Sequence, residues 1–229
     1  MLKRGWRLAW LSLAVIAVAG GGATVSLLAE HGRIESVLAH ETLPFYGSAD
    51  LLPRWDPISS WHRVERFALQ DQRGHAIDER LLDRGPTVVS FFFAGCATVC
   101  PVSTDLLRRT RTTLAKRGRA QTPAFVSITV APLSDSPASV REFSNRFALG
   151  DDWTLVTGEP RQVARLARRA FFVNIEAPGI GAEPPHIDRA FLVDSSRRIR
   201  GIYDATSTNE MQRLSVDLDR LRAEAPQRM

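Results

Sequence analysis

The chain is short of cysteine and lysine, with two of each in 229 residues. Two cysteines cannot staple a disulfide scaffold or fill a four-thiolate zinc site, so any sulfur chemistry belongs to the single pair Cys96 and Cys100. The lysines are Lys3 and Lys116, and nearly all of the 30 basic residues are arginine. No acidic residue precedes Glu30, while outside Lys3, Arg4 and Arg7 the chain holds 27 basic against 25 acidic residues. The formal net charge of +5 is therefore mostly a property of the N-terminus. No basic stripe with interleaved aromatics exists, which argues against a nucleic-acid partner. Internal repeats and low-complexity tracts are also missing. What is present is an apolar content of 44%, too high for a disordered chain and suited to one or two packed domains.

The N-terminus sets the expected location. Leu8 to Ala29 contains no charged residue. As a helix these residues would extend about 33 Å at 1.5 Å per residue, enough to cross a hydrocarbon core of about 30 Å. Lys3, Arg4 and Arg7 before the run would hold residues 1–7 in the cytoplasm and export the remainder. A cleaved signal peptide is the rival reading, since Ala17-Val18-Ala19 offers a small-x-small site. The anchor is preferred because apolar sequence resumes after Gly20-Gly21-Gly22 with Val25, Leu27 and Leu28. Either way the domain would work where a thiol pair can be oxidised. The expected setting is single-pass in a bacterial-type inner membrane, with the globular part in the periplasm.

Residues 30–60 read as a tether and approach segment, with Pro44, Pro53 and Pro57 and little periodicity. Phe45, Tyr46 and Trp55, with Trp61 just beyond, make it too aromatic for a free linker, so it should pack on the domain that occupies 61–225. There the pattern predicts a hairpin turning at Gln72–Gly74, a buried strand over Pro86–Phe93, a helix over Val102–Arg117 and a second buried strand over Phe125–Val130. Ser136-Pro137 opens a helix to Phe147, Trp153–Thr157 is a short strand, and Pro160–Ala170 is a helix. A hairpin around Asp194 and a closing amphipathic helix over Asn209–Glu224 complete the order. Strands alternating with helices before a final hairpin and helix imply an α/β, three-layer sandwich of thioredoxin type, with an N-terminal β-hairpin extension and one transmembrane helix ahead of it.

Cys96 and Cys100 fall between the apolar strand and the following helix. Unpaired N–H groups and the positive end of the helix dipole favour thiolate there. Across one turn both sulfurs can face one point, close enough for a disulfide or a shared metal ion. A third ligand would distinguish these outcomes. His31, His40, His62 and His75 lie in the membrane-proximal segment or a polar turn, where solvated surface is the plain reading. His186 instead follows a Gly/Pro-rich stretch and directly precedes the apolar strand RAFLVD.

Taken together, FFFAGCATVCP, SITVAPLSDSPASVREF, the isolated His186 ahead of FLVDSSRRIRGIYD, and LPFYGSADLLPRW resemble the SCO/SenC family of copper chaperones. The similarity runs in consistent order over roughly residues 43–223. It implies a membrane-anchored, thioredoxin-fold assembly factor that delivers copper to the CuA site of cytochrome c oxidase. Carried over residue by residue, the metal ligands would be Cys96, Cys100 and His186. Two thiolates and one imidazole form a soft, three-coordinate set suited to Cu(I), with Cu(II) as the other state to consider. Partners implied are the CuA-bearing subunit, the membrane through residues 8–29, and other copper chaperones or thiol reductants. The chain departs from the family pattern at Ala97 and Thr98 after the first cysteine, at Ala131 where the DPxxD loop has its first aspartate, and at Pro184-Pro185. Asp135 keeps the second aspartate, as a support for the copper loop or as a loop cap.

The alternative is an extracytoplasmic thiol-disulfide oxidoreductase that keeps target cysteines reduced, with Cys96 attacking and Cys100 resolving. A peroxidase is disfavoured, because Phe93 and Ala97 stand where a Thr or Ser would precede the peroxidatic cysteine. Arg108, Arg109, Arg111, Lys116 and Arg117 read as a solvated helix face, and Asp194 as the start of a hairpin turn.

Overall fold

All six residues of β3 (Thr87–Phe92) are buried, as its unbroken apolar run requires of a strand covered on both faces. The computed structural model describes residues 42–56, 58–118, 122–175 and 186–224. Around β3 they form a seven-stranded sheet in the order β2-β1-β5-β4-β3-β6-β7. The remaining strands are β1 (Ala68–Asp71), β2 (Ala76–Asp78), β4 (Ala124–Thr129), β5 (Trp153–Thr157), β6 (Arg189–Val193) and β7 (Ile199–Asp204). β3, β4 and β5 run parallel, while β6 runs antiparallel to β3 with Thr87 opposite Val193 and Ser90 opposite Ala190. The β1–β2 hairpin pairs with β5 at the far edge, so the expected hairpin extension is present.

Among the described residues, four α-helices complete the layers: α1 (Val99–Ala115), α2 (Pro137–Arg146), α3 (Pro160–Phe171) and α4 (Thr208–Glu224). Side-chain alternation along β3 assigns each helix to a face. Val88 and Phe92 join a core with Leu107 and Leu114 of α1, Val140 and Phe143 of α2, and Leu214 and Leu218 of α4. Val89 and Phe91 join a second core with Val163, Leu166 and Phe171 of α3 and with Val64 and Leu82. The result is the three-layer, thioredoxin-like arrangement expected from the sequence.

Local chemistry explains the helix starts. Ser136 Oγ accepts from Ser139 N at 3.3 Å, and Pro137 occupies the first turn where its missing N–H costs nothing. Glu159 caps α3 by accepting from the N–H groups of Arg161 and Gln162 at 3.0 and 2.9 Å. α1 begins at Val99, three residues before the Val102 start read from sequence, because Pro101 is tolerated within a first turn.

The approach segment packs on the domain as its aromatics required. Phe45 and Arg54 exchange backbone hydrogen bonds of 2.7 and 3.0 Å, and Tyr46 N donates to Ile199 O at 3.1 Å. Arg200, 4% exposed, donates to Leu43 O at 2.6 Å, Pro44 O at 3.1 Å and Glu224 at 2.6 Å, and pairs with Asp194 at 3.4 Å. This pins the segment at the end of the sheet where β3 begins, opposite the end that carries the cysteines. Thr42 onward belongs to one compact unit.

Two surface expectations need correction. His62 is half-buried: its Nε2 lies 2.9 Å from Ala170 O and its ring stacks on Phe172 at 4.6 Å. Arg111 is 18% exposed at its side chain, donating to Leu149 O and pairing with Asp152. Among the described residues no helix is long and apolar enough to cross a membrane. The run 8–29, His31, His40 and Pro184-Pro185 lie outside the described residues.

Candidate metal centre

Beyond Phe92 the chain leaves the sheet and closes a tight turn in which Cys96 N donates to Phe93 O at 3.0 Å. Gly95 lets the Phe93 ring lie against the turn, since a Cβ at that position would meet the ring at 2.7 Å and displace it. α1 then begins without a side-chain cap from Thr98. The sulfur of Cys96 takes that place: the Cys100 N–H points at Sγ at 3.4 Å, with Thr98 Oγ1 at 3.9 Å. Orphan N–H groups of the first helical turn are thus directed at the thiol, as the strand-to-helix position implied.

Both cysteines are free thiols, each 7% exposed. Burial works against the Cys96 thiolate, but hydrogen bonds from the Cys100 thiol, the Cys100 and Thr98 N–H groups and the Thr98 hydroxyl outweigh it, lowering Cys96 to about 7. Burial pushes Cys100 the other way, up to about 12, reinforced by its hydrogen bond to Cys96 and by the charges of Cys96 and Asp135. The pair is split into a stabilised thiolate and a retained proton.

His186 completes the group from a different part of the chain. Its exposed ring places Nδ1 4.0 Å from Cys96 Sγ, although 90 residues separate them. Sulfur and nitrogen held by one ion at bond lengths of about 2.3 and 2.0 Å stand about 3.6–3.8 Å apart, so the pair needs only a small closure to share a metal. Cys96 is the hub, touching Cys100 and His186 separately. Among the described residues no three His, Cys, Asp or Glu side chains are already drawn tightly enough to grip an ion.

Asp135 anchors the turn from behind. Its carboxylate is 2% exposed and accepts from Ala94 N at 3.1 Å and Thr129 Oγ1 at 2.5 Å. Ala94 precedes Cys96 by two residues, so the loop after β4 is tied to the cysteine turn through this one side chain. Thr157 Oγ1 donates to Asp135 O at 2.5 Å and Ala131 N to Thr129 Oγ1 at 2.9 Å. The Thr129 and Ala94 parts were not read from sequence, since nothing in the spacing of a strand threonine and a loop alanine marks them as partners. Asp194 holds its hairpin as expected, accepting from Ser196 N at 2.9 Å and Arg198 N at 3.0 Å.

A family model described as SCO1/SenC matches residues 57–220. The chain belongs to the SCO1/SenC family. Protein SenC of Rhodobacter capsulatus is 30% identical over 153 residues, covering 66% of this SCO1/SenC chain and 67% of the relative. BsSco, described as a member of the Sco family of cytochrome c oxidase assembly proteins with a disulfide switch, superposes with a TM-score of 0.62. It is 21% identical, over 70% of this chain and 93% of its own. Yeast Sco1 with copper bound superposes with a TM-score of 0.61 at 22% identity, over 72% of this chain and 92% of its own. At these identities the two structures bear on the fold, which they share.

Proposed function

We propose that this SCO1/SenC protein is a membrane-anchored copper chaperone that takes Cu(I) on Cys96, Cys100 and His186 and passes it to the CuA-bearing subunit of cytochrome c oxidase. The observation that carries the reading is the approach of His186 Nδ1 to Cys96 Sγ across 90 residues of chain. Copper is cargo here. Two sulfurs and an imidazole match a soft monovalent ion, and three donors leave it open to attack by an incoming thiolate of the recipient. The exposed His186 ring can release and re-engage while the buried cysteines keep the ion. Residues 8–29 are the anchor in this reading, with the domain in the periplasm. Reduced protein is expected to bind about one copper per chain with sulfur and nitrogen ligands, as soft-donor sites do. His186→Ala should lose the nitrogen ligand and weaken retention; unchanged binding would remove His186 from the site.

A second reading rests on the split between the two thiols. Cys96, at about 7, attacks a target disulfide, a mixed disulfide forms and the target sulfur leaves as thiolate. Cys100 then loses its proton and displaces the second target sulfur, so two electrons pass to the target and Cys96–Cys100 becomes the disulfide. Copper-free reduction of an oxidised CuA subunit that persists in His186→Ala would favour this activity.

A further inference from the structure

Ile58 and Trp61 bracket the short turn Ser59–Trp61 and are 74% and 75% exposed. Single exposed apolar side chains are ordinary on a protein surface, but these two stand together on one short turn. Arginines surround them. One hollow beside the turn is lined by Trp61, His62, Arg63, Glu65 and Arg169, and an adjoining one shares Glu65 and Arg169 and adds Arg66 and Arg165. Four exposed arginines therefore meet one acidic residue, Glu65, which lies 3.8 Å from Arg165 and 3.4 Å from Arg169. The helix behind them, α3, carries four arginines and no acidic residue.

The patch has a defined place in the fold. His62 is held to Ala170 O at the end of α3, and Val64 N donates to Arg197 O in the β6–β7 turn at 2.9 Å. That turn lies at the end of the sheet where β3 begins, the same end at which Leu43 is pinned by Arg200. Leu43 therefore lies at the patch end, and the cysteines occupy the other. Between the uncharged run ending at Ala29 and Thr42 lie residues 30–41, a reach of at most about 40 Å.

We infer that this surface docks on the headgroup layer of an anionic phospholipid membrane, with Trp61 and Ile58 at the apolar boundary and Arg63, Arg66, Arg165 and Arg169 on the phosphates. An amphipathic indole beside guanidinium groups is the side-chain set of the membrane interface, and arginines near an anionic leaflet add attraction that salt screens. Docked this way, the domain turns its cysteine end away from the bilayer. The inference rests on the membrane-anchored reading above.

The test uses the full chain in nanodiscs of phosphatidylcholine alone or mixed with phosphatidylglycerol, with amide hydrogen exchange as the readout. Peptides covering 58–66 and 163–171 are expected to exchange several-fold more slowly in the anionic discs, while peptides of β3 stay the same. The difference should vanish at high salt and in the exposed-site variant Trp61→Ser/Arg165→Gln/Arg169→Gln. Equal exchange in the two lipids would overturn the inference and hand the patch to a protein partner. The anchor is tested separately by retention on phosphatidylcholine discs through an alkaline wash. Should that fail, the unanchored chain must still co-sediment with anionic vesicles in a salt-sensitive way, and its absence from the pellet would equally overturn the docking surface.

Discussion

At the scale of single residues, the centre depends on an asymmetry between two thiols on one helical turn. Cys96 sits where first-turn N–H groups converge and is lowered to about 7, while buried Cys100 is raised to about 12. The thiolate of Cys96 forms as pH rises through about 7 and is lost below it. Iodoacetamide at pH 7 should therefore modify Cys96 well ahead of Cys100 in the reduced protein, at a rate held down by the burial of both sulfurs. Peptide mass mapping across pH checks both the site and the midpoint; equal labelling of the two would contradict the asymmetry. Asp135 supplies a second prediction. Asp135→Ala leaves Ala94 N–H and the Thr129 hydroxyl buried without their acceptor, which should cost about 2–4 kcal/mol in urea unfolding. Copper retention should fall with it, because the cysteine turn loses its tie to the loop after β4. Much of this centre could be read in the sequence. The reactivity of the pair followed from its place between an apolar strand and a helix, whereas His186 entered through family resemblance, because nothing local says that a histidine 90 residues away returns to Cys96. His62 was misread for a related reason: its burial comes from Phe172 and Ala170, distant in sequence.

At the scale of elements, strong local signals located most of the fold. The continuous apolar run became β3, Ser136-Pro137 opened α2, and Trp153–Thr157 is a strand with the expected bounds. One boundary moved at the cysteine turn: α1 starts at Val99, where Pro101 is tolerated and the Cys96 sulfur accepts the N–H that a capping side chain would otherwise satisfy. The cap on α3 is testable. Removing the Glu159 carboxylate in Glu159→Ala frees two N–H groups and should lower stability by about 0.5–2 kcal/mol, leaving copper binding intact. The approach segment depends more heavily on one residue. Arg200 gathers two backbone carbonyls, Glu224 and Asp194 in a buried position, an arrangement that required the folded chain to see. Arg200→Ala strands the carboxylates and is expected to cost about 3–5 kcal/mol. Amide exchange should then accelerate in residues 43–54 ahead of the sheet.

At the scale of the whole molecule, the two ends of the sheet divide the work. One end holds the approach segment at Leu43 and carries Trp61 and its arginines. The other carries the cysteine turn, with exposed His186 over buried sulfur. The chain belongs to the SCO1/SenC family and shares the thioredoxin-like fold, and the cargo proposed for it is copper. What this chain does with it depends on whether three side chains that now meet pairwise through Cys96 close on one ion. Copper X-ray absorption on reduced wild type and His186→Ala tests that most directly. The expected wild-type spectrum is three-coordinate Cu(I) with two sulfur and one nitrogen ligand, and His186→Ala should lose the nitrogen. An unchanged spectrum in His186→Ala, or no copper retained by the wild type, would contradict the three-ligand centre.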